Sequence, residues 1–294
     1  MPAPRARFRF TSNGRGRNYT RLRGLGEALL DLCYPRSWPA RAWSLVPGAT
    51  RVTRLDHHLA LDPGRSLRAP LRLAFASDLH IGPTTPSATL DAAFEHLHRA
   101  APDVLLLGGD YVFLDATRAR ADELRRRVLA VPARTKVAVL GNHDLWTHHG
   151  RLEDALGAAG VTVLVNDAIR LPPPHDEVAI LGLDDPWAGD PDGARAIAAC
   201  GDAKVRIALS HSPEGVPMLQ GGGISLVLSG HTHGGQIALP GHRPLLVPGP
   251  FSKRWPFGRH EVGEMTLFVS RGVGTGELPI RTFAPPDVAV FDLR

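Results

Sequence analysis

Gly230-His231-Thr232-His233-Gly234-Gly235-Gln236 is the stretch on which the fold of this 294-residue chain turns. It sets two imidazoles at i and i+2 among glycines, directly behind the apolar run 224–229. A short apolar run bounded by glycine reads as a buried strand. A strand that ends in ligand-type side chains reads as one edge of a site, because open α/β sheets place ligands outside their strand ends. Four further blocks upstream have the same form: Ser210-His211 behind 205–209, Gly141-Asn142-His143-Asp144 behind 137–140, Gly109-Asp110 behind 104–107, and Asp78-Leu79-His80 behind 71–77. Each block alone is weak evidence. Five in order, each closing a strand, point to carboxylate and imidazole groups gathered around metal cations.

Around these blocks the rhythm is that of an α/β chain that becomes sheet-rich toward its end. Helical spacing predicts helices over about 87–100, 117–129, 152–159 and 193–199. Short β runs are expected at 161–165, 168–171, 178–183, 236–239, 245–247, 265–269 and 288–291. Residues 1–18, rich in Pro, Gly and Arg, read as a disordered basic tail. Residues 19–61 read as an accessory segment: an amphipathic helix over 19–33, weakened by Gly24 and Gly26, then Trp38 and Trp43, then one strand within 50–61. Residues 62–294 read as the domain that carries the five blocks.

The net charge of +5 is unevenly placed. Eleven arginines stand in residues 1–54 against only Glu27 and Asp31. No apolar run reaches the ~18–20 residues of a membrane span, and no secretory pattern follows the basic start. Cys33 and Cys200 lie in no metal or redox pattern and read as unpaired thiols. The expected location is cytoplasmic, with peripheral contact on the inner membrane face through 1–45, since each basic residue near an anionic surface contributes ~1 kcal/mol.

The five blocks together resemble the calcineurin-like metallophosphoesterase superfamily, from Leu71 to the C-terminus. The family fold is a four-layer α/β/β/α sandwich of two mixed sheets flanked by helices. The resemblance implies a binuclear centre in which Asp110 bridges both cations. Asp78, His80 and His233 join it at the first, and Asn142, His211 and His231 at the second. It also implies that His143, oriented by Asp144, faces the substrate as the catalytic pair, and that a metal-bridged hydroxide attacks phosphorus. Oxygen and imidazole ligands favour manganese, with iron and zinc admitted by the same set.

Departures narrow the branch. Purple acid phosphatases carry a metal-binding tyrosine where this chain has Phe113, and Gly109-Asp110-Tyr111-Val112-Phe113 differs from the protein phosphatase pattern. Gly182-Leu183-Asp184-Asp185-Pro186-Trp187 and Ser270-Arg271-Gly272-Val273-Gly274-Thr275 are similar to small bacterial phosphodiesterases, some of which hydrolyse UDP-2,3-diacylglucosamine in lipid A synthesis. The implied function is hydrolysis of a phosphodiester or pyrophosphate bond in a lipid-linked or nucleotide-linked substrate. Two alternatives stand beside it. One is a nucleic-acid-binding protein using the Arg-rich N-terminus, against which 1–54 carries no nucleic-acid-binding motif, so no nucleic acid partner is expected. The other is a non-catalytic scaffold of the same fold, against which every ligand position is intact.

Overall fold

A computed structural model of the chain describes residues 12–61 and 67–294. In chain order its strands are β1 (Thr53–Leu59), β2 (Leu71–Ala76), β3 (Val104–Leu107), β4 (Thr135–Ala138), β5 (Val161–Val163), β6 (Asp167–Arg170), β7 (Val178–Gly182), β8 (Val205–Leu209), β9 (Leu226–Ser229), β10 (Ala238–Leu239), β11 (Arg243–Pro244), β12 (Gly258–Val262), β13 (Met265–Val269) and β14 (Asp287–Leu293). The helices are α1 (Arg21–Cys33), α2 (Trp38–Ser44), α3 (Ser87–Ala100), α4 (Arg118–Leu129), α5 (Asn142–Trp146), α6 (His149–Gly157), α7 (Gly193–Ala199), α8 (Val216–Leu219) and α9 (Pro250–Arg254).

Two large mixed sheets carry the fold, ordered β1-β14-β2-β3-β4-β5 and β12-β13-β9-β8-β7-β6. Between them lies an apolar layer in which Phe75, Phe268 and Phe291 meet, with Phe268–Phe291 centroids 5.3 Å apart. Truncating any of these rings to alanine costs about 3–5 kcal/mol. The outer face of the first sheet is covered by α3, α4 and α6. Helix α3 places Leu90, Phe94 and Leu97 inward at helical spacing, and α4 is capped by Thr117, whose hydroxyl accepts from the Arg120 N–H. Helices α7 and α8 cover the second sheet through Ala196, Val216 and Leu219. The four-layer α/β/β/α sandwich is therefore observed.

The first sheet includes β1, whose seven residues pair in parallel with β14 from Thr53↔Asp287 to Leu59↔Leu293. The boundary expected at residue 61 thus falls outside the strand that completes the sandwich. Within the expected tail, residues 12–18 lie against the body of the protein. The Gly16 N–H donates to Leu145 O at 2.8 Å, and Arg15 forks onto Asp184 at 2.5 and 2.7 Å. Residues 1–11 lie outside the described residues. The β run expected at 245–247 is irregular, with the neighbouring strand at Arg243–Pro244 instead.

Helix α1 is amphipathic in the opposite sense from a helix that covers a core. Its buried residues are Gly24 and Glu27. Leu22, Leu25, Leu29 and Leu32 face outward, exposed by 50–78%. No helix among the described residues is long and apolar enough to cross a membrane. Cys33 is exposed and Cys200 buried, both as free thiols.

Candidate metal centre

The ligand-type residues sit beyond the C-terminal ends of strands in both sheets. Asp78 and His80 follow β2, Asp110 follows β3, Asn142 follows β4, His211 follows β8, and His231 and His233 follow β9. Within each sheet these strands run parallel, so their ends open on the same side. Asp78, His80, Asp110, His231 and His233 all have φ between +44° and +70°. That region is unfavourable for residues with a Cβ and is retained mainly at functional sites. Gly109, with φ +95°, makes the turn before Asp110. A Cβ there would lie 2.5 Å from Gly141 N and 2.9 Å from His211 Nδ1.

Three groups of ligand atoms lie within 4.8 Å of one another: Asp78, His80 and His233; His80, Asp110 and His143; and Asp110, His211 and His231. His80 Nε2 is 3.0 Å from His233 Nε2, and His233 Nε2 is 3.5 Å from Asp78 Oδ1. Asp110 Oδ2 faces both sets, 3.6 Å from His80 Nε2 and 3.3 Å from His211 Nε2. The structure therefore brings Asp78, His80 and His233 together on one side and His211 and His231 on the other, with Asp110 between them.

Their chemistry fits divalent cations. Among the described residues, Asn142 Oδ1 and His231 Nε2 are buried without a hydrogen-bond partner. Buried polar atoms rarely stay unpaired unless an ion or water serves them. Burial holds His80 down to about 4 and His231 to about 3, so both rings are neutral, the form that ligates metal. His211 donates Nδ1–H to Gly108 O at 2.8 Å, which aims Nε2 at Asp110. Burial opposes a charge on His211, but the Asp110 carboxylate outweighs it and draws a second proton onto the ring. A cation at this point competes with that proton.

His143 lies at the pocket side of the cluster, its ring centroid 4.8 Å from His80 and 5.4 Å from Trp146. Asp144, expected to orient this ring, turns elsewhere. Its carboxylate accepts the backbone N–H groups of Asp110 (2.7 Å), Tyr111 (2.8 Å) and Gly141 (3.0 Å). It clamps the loop after β3 to the loop after β4. The orienting role expected of Asp144 is corrected on this point, because both carboxylate oxygens are engaged by backbone donors.

The motif residues border a pocket of about 530 Å³. Trp146 and Trp187 flank it, the latter 5.2 Å from His231 by ring centroids. Ile237, Leu245, Leu246 and Leu278 form its outer wall. Asp184 and Asp185 form a buried turn beside it: Asp185 accepts from Trp187 and Ala188, and Asp184 holds Arg15. Arg271 is tied to Asp287 at 3.6 Å. His148 meets Asn13 rather than the pocket. Sequence reasoning missed Arg23, which enters the pocket from α1. Its signal was the i, i+4, i+8 stripe Tyr19, Arg23, Glu27 opposite the leucines.

Comparison with known proteins agrees with this architecture. Residues 71–235 match the family model described as calcineurin-like phosphoesterase. The chain is 32% identical over 235 residues to phosphodiesterase YaeI of Escherichia coli (strain K12), covering 76% of this chain and 83% of that protein. It is 30% identical to the uncharacterized metallophosphoesterase YkuE of Bacillus subtilis (strain 168), covering 74% and 77%. An uncharacterized metallophosphoesterase of Aquifex aeolicus (strain VF5) is 29% identical over 76% of this chain and 85% of its own length.

Proposed function

Because the chain belongs to the calcineurin-like phosphoesterase family, a family of phosphoester hydrolases, we propose that it cleaves a phosphodiester or pyrophosphate bond at a two-cation site. The observation that carries this reading is the single oxygen, Asp110 Oδ2, facing an imidazole of each set. Asp78, His80, Asp110 and His233 would hold one cation, and Asp110, Asn142, His211 and His231 the other. The donor set favours manganese, with iron and zinc next. When bound, two such cations lower the pKa of water and neutralise charge developing on phosphoryl oxygens.

The chain's own groups do the rest. The backbone N–H of His231 donates to Asp78 at 3.0 Å and that of His143 to Asp110 at 2.9 Å, holding both carboxylates in place. Burial holds His143 well below the usual imidazole range despite the raising effect of Asp110. The neutral ring serves as a hydrogen-bond donor to a charged phosphoryl oxygen. Trp146 and Trp187 line the pocket beside His143 and His231.

The apolar outer wall and the outward leucines of α1 support a lipid-linked substrate, such as a nucleotide-linked diacylglucosamine, met by peripheral contact with an anionic membrane. Part of the basic N-terminus is engaged internally, since Arg15, Arg17 and Arg54 pair with Asp184, Asp190 and Asp56. The domain division follows the same logic: the accessory segment would end before β1.

Metal analysis of protein purified without chelator should approach about two equivalents per chain. The manganese-loaded protein, screened against phosphomonoesters, phosphodiesters, cyclic nucleotides and UDP-diacylglucosamine, should prefer diesters or pyrophosphates. Full activity with a single equivalent would overturn the two-cation reading.

A further inference from the structure

Helix α1 lies outside the stretch matched by the family model, yet one of its side chains lines the pocket. Arg23 Nη2 is 3.3 Å from both ring nitrogens of His143, and the guanidinium carbon lies 3.7 Å from the Trp146 ring centroid. Arg23 is the one permanent cation among the described residues that line the pocket.

Its support is built from the same helix and the two residues that lead into it. Arg23 Nε donates to Glu27 Oε1 at 3.0 Å, and Glu27 Oε2 accepts the Tyr19 O–H at 2.7 Å. Thr20 caps the helix by accepting the Arg23 N–H at 3.1 Å. On the open side, Glu277 stands 3.8 Å away and is largely exposed.

A purely architectural role accounts poorly for this arrangement. The Glu27 pair is intrahelical, so this contact fixes the guanidinium rather than docking the helix. The Nη2 group lies equally far from both nitrogens of one ring, which is not the geometry of a directed hydrogen bond. Its remaining carboxylate contact is long and solvent-screened. A planar, stacked guanidinium with donors turned into a phosphoester pocket is the arrangement that recognises phosphate oxygens.

We propose that Arg23 is a substrate-binding residue of the hydrolytic site, its guanidinium taking a non-bridging oxygen of the substrate phosphoryl group. Glu27 and Tyr19 act as positioning residues that hold the fork over His143, and Glu277 yields its place to the incoming oxygen. This assignment rests on phosphoester hydrolysis in this pocket. It adds a group delivered from across 120 residues of sequence by a helix whose other face is apolar.

The test compares full-length wild type with Arg23→Ala and Arg23→Lys, each checked for melting temperature and metal content. Binding of inorganic phosphate, followed by calorimetry on metal-loaded protein, should weaken by about 10–100-fold in Arg23→Ala. Turnover of bis(p-nitrophenyl) phosphate should fall by about 10²-fold. Free guanidinium ion, at millimolar levels far below denaturing ones, should restore part of that turnover. Equal phosphate binding in wild type and Arg23→Ala overturns the assignment, as does a loss of turnover that guanidinium leaves untouched. Should Arg23→Ala fail to fold, Arg23→Lys takes its place: it keeps the charge, loses the fork, and should bind phosphate more weakly, whereas parity with wild type overturns the proposal. Phosphate binding that depends on Arg23 in a protein with no turnover on any diester would count against the proposed reaction and not against Arg23.

Discussion

Replacing Asp144 with asparagine separates a structural clamp from a catalytic partner. The carboxylate is fully buried, and its two oxygens serve the N–H groups of Asp110, Tyr111 and Gly141, with Val112 a fourth donor at 3.4 Å. Asparagine keeps one acceptor oxygen and turns an amide NH₂ toward the donors on the other side. About two buried N–H groups lose their acceptor, at about 1–3 kcal/mol each, so Asp144→Asn should cost about 2–6 kcal/mol. For a chain of this size that is a fall in melting temperature of roughly 3–10 °C. The loop carrying Asp110 loosens with it, so metal affinity should drop by about 10–100-fold, as for other groups that support ligands. Differential scanning calorimetry and metal titration on the same preparation measure both. If the variant melts and binds metal like wild type while turnover alone collapses, Asp144 acts on His143 after all, and the clamp argument is refuted.

Four further outcomes are expected. His143→Ala should retain metal and lose about 10²–10⁴-fold in turnover, whereas Asp110→Asn should lose metal and activity together, read by metal analysis beside initial rates. The Asp184 carboxylate is pushed up by burial, but its bonds to Arg15 and to backbone N–H groups outweigh this and hold it below its ordinary range. That stabilisation is present above the unfolded value and is lost as pH falls through the folded one. Asp184→Asn should therefore lower stability by about 1–3 kcal/mol near neutrality, with the gap closing in acid melts below about pH 4. Leu22→Ser combined with Leu29→Ser should leave stability within about 0.5 kcal/mol, yet reduce co-sedimentation with anionic vesicles. Equal sedimentation would remove the membrane reading.

The five ligand blocks were legible because each follows a strand whose end the parallel topology brings to one side. Local order in sequence became proximity in space without further information. Helices 87–100 and 193–199 were legible from apolar spacing alone, which α3 and α7 match. The role of Asp144 was not legible, because adjacency to His143 suggested a side-chain partner while the donors that engage it come partly from another loop. Arg23 was hidden by distance along the chain. The leucines of α1 were visible as a stripe, but periodicity says only that a helix has two faces, not which one meets the protein. β1 was recognisable as a strand, but no pattern in 53–59 announces a partner more than two hundred residues away.

That partnership governs the order in which the molecule can be assembled. β14 lies between β1 and β2, parallel to the first and antiparallel to the second. Both of the earlier strands must therefore wait until residues 287–293 have left the ribosome. Until then β2, which leads directly into Asp78 and His80, presents an unpaired edge, and β1 has no sheet to join. Contacts of such sequence separation are slow to form, and exposed edges are where growing chains associate wrongly. Loss of β14 during synthesis would leave a chain with all seven ligand-type residues and no closed first layer to hold them, so termination before residue 287 should yield aggregate and not a partly active enzyme.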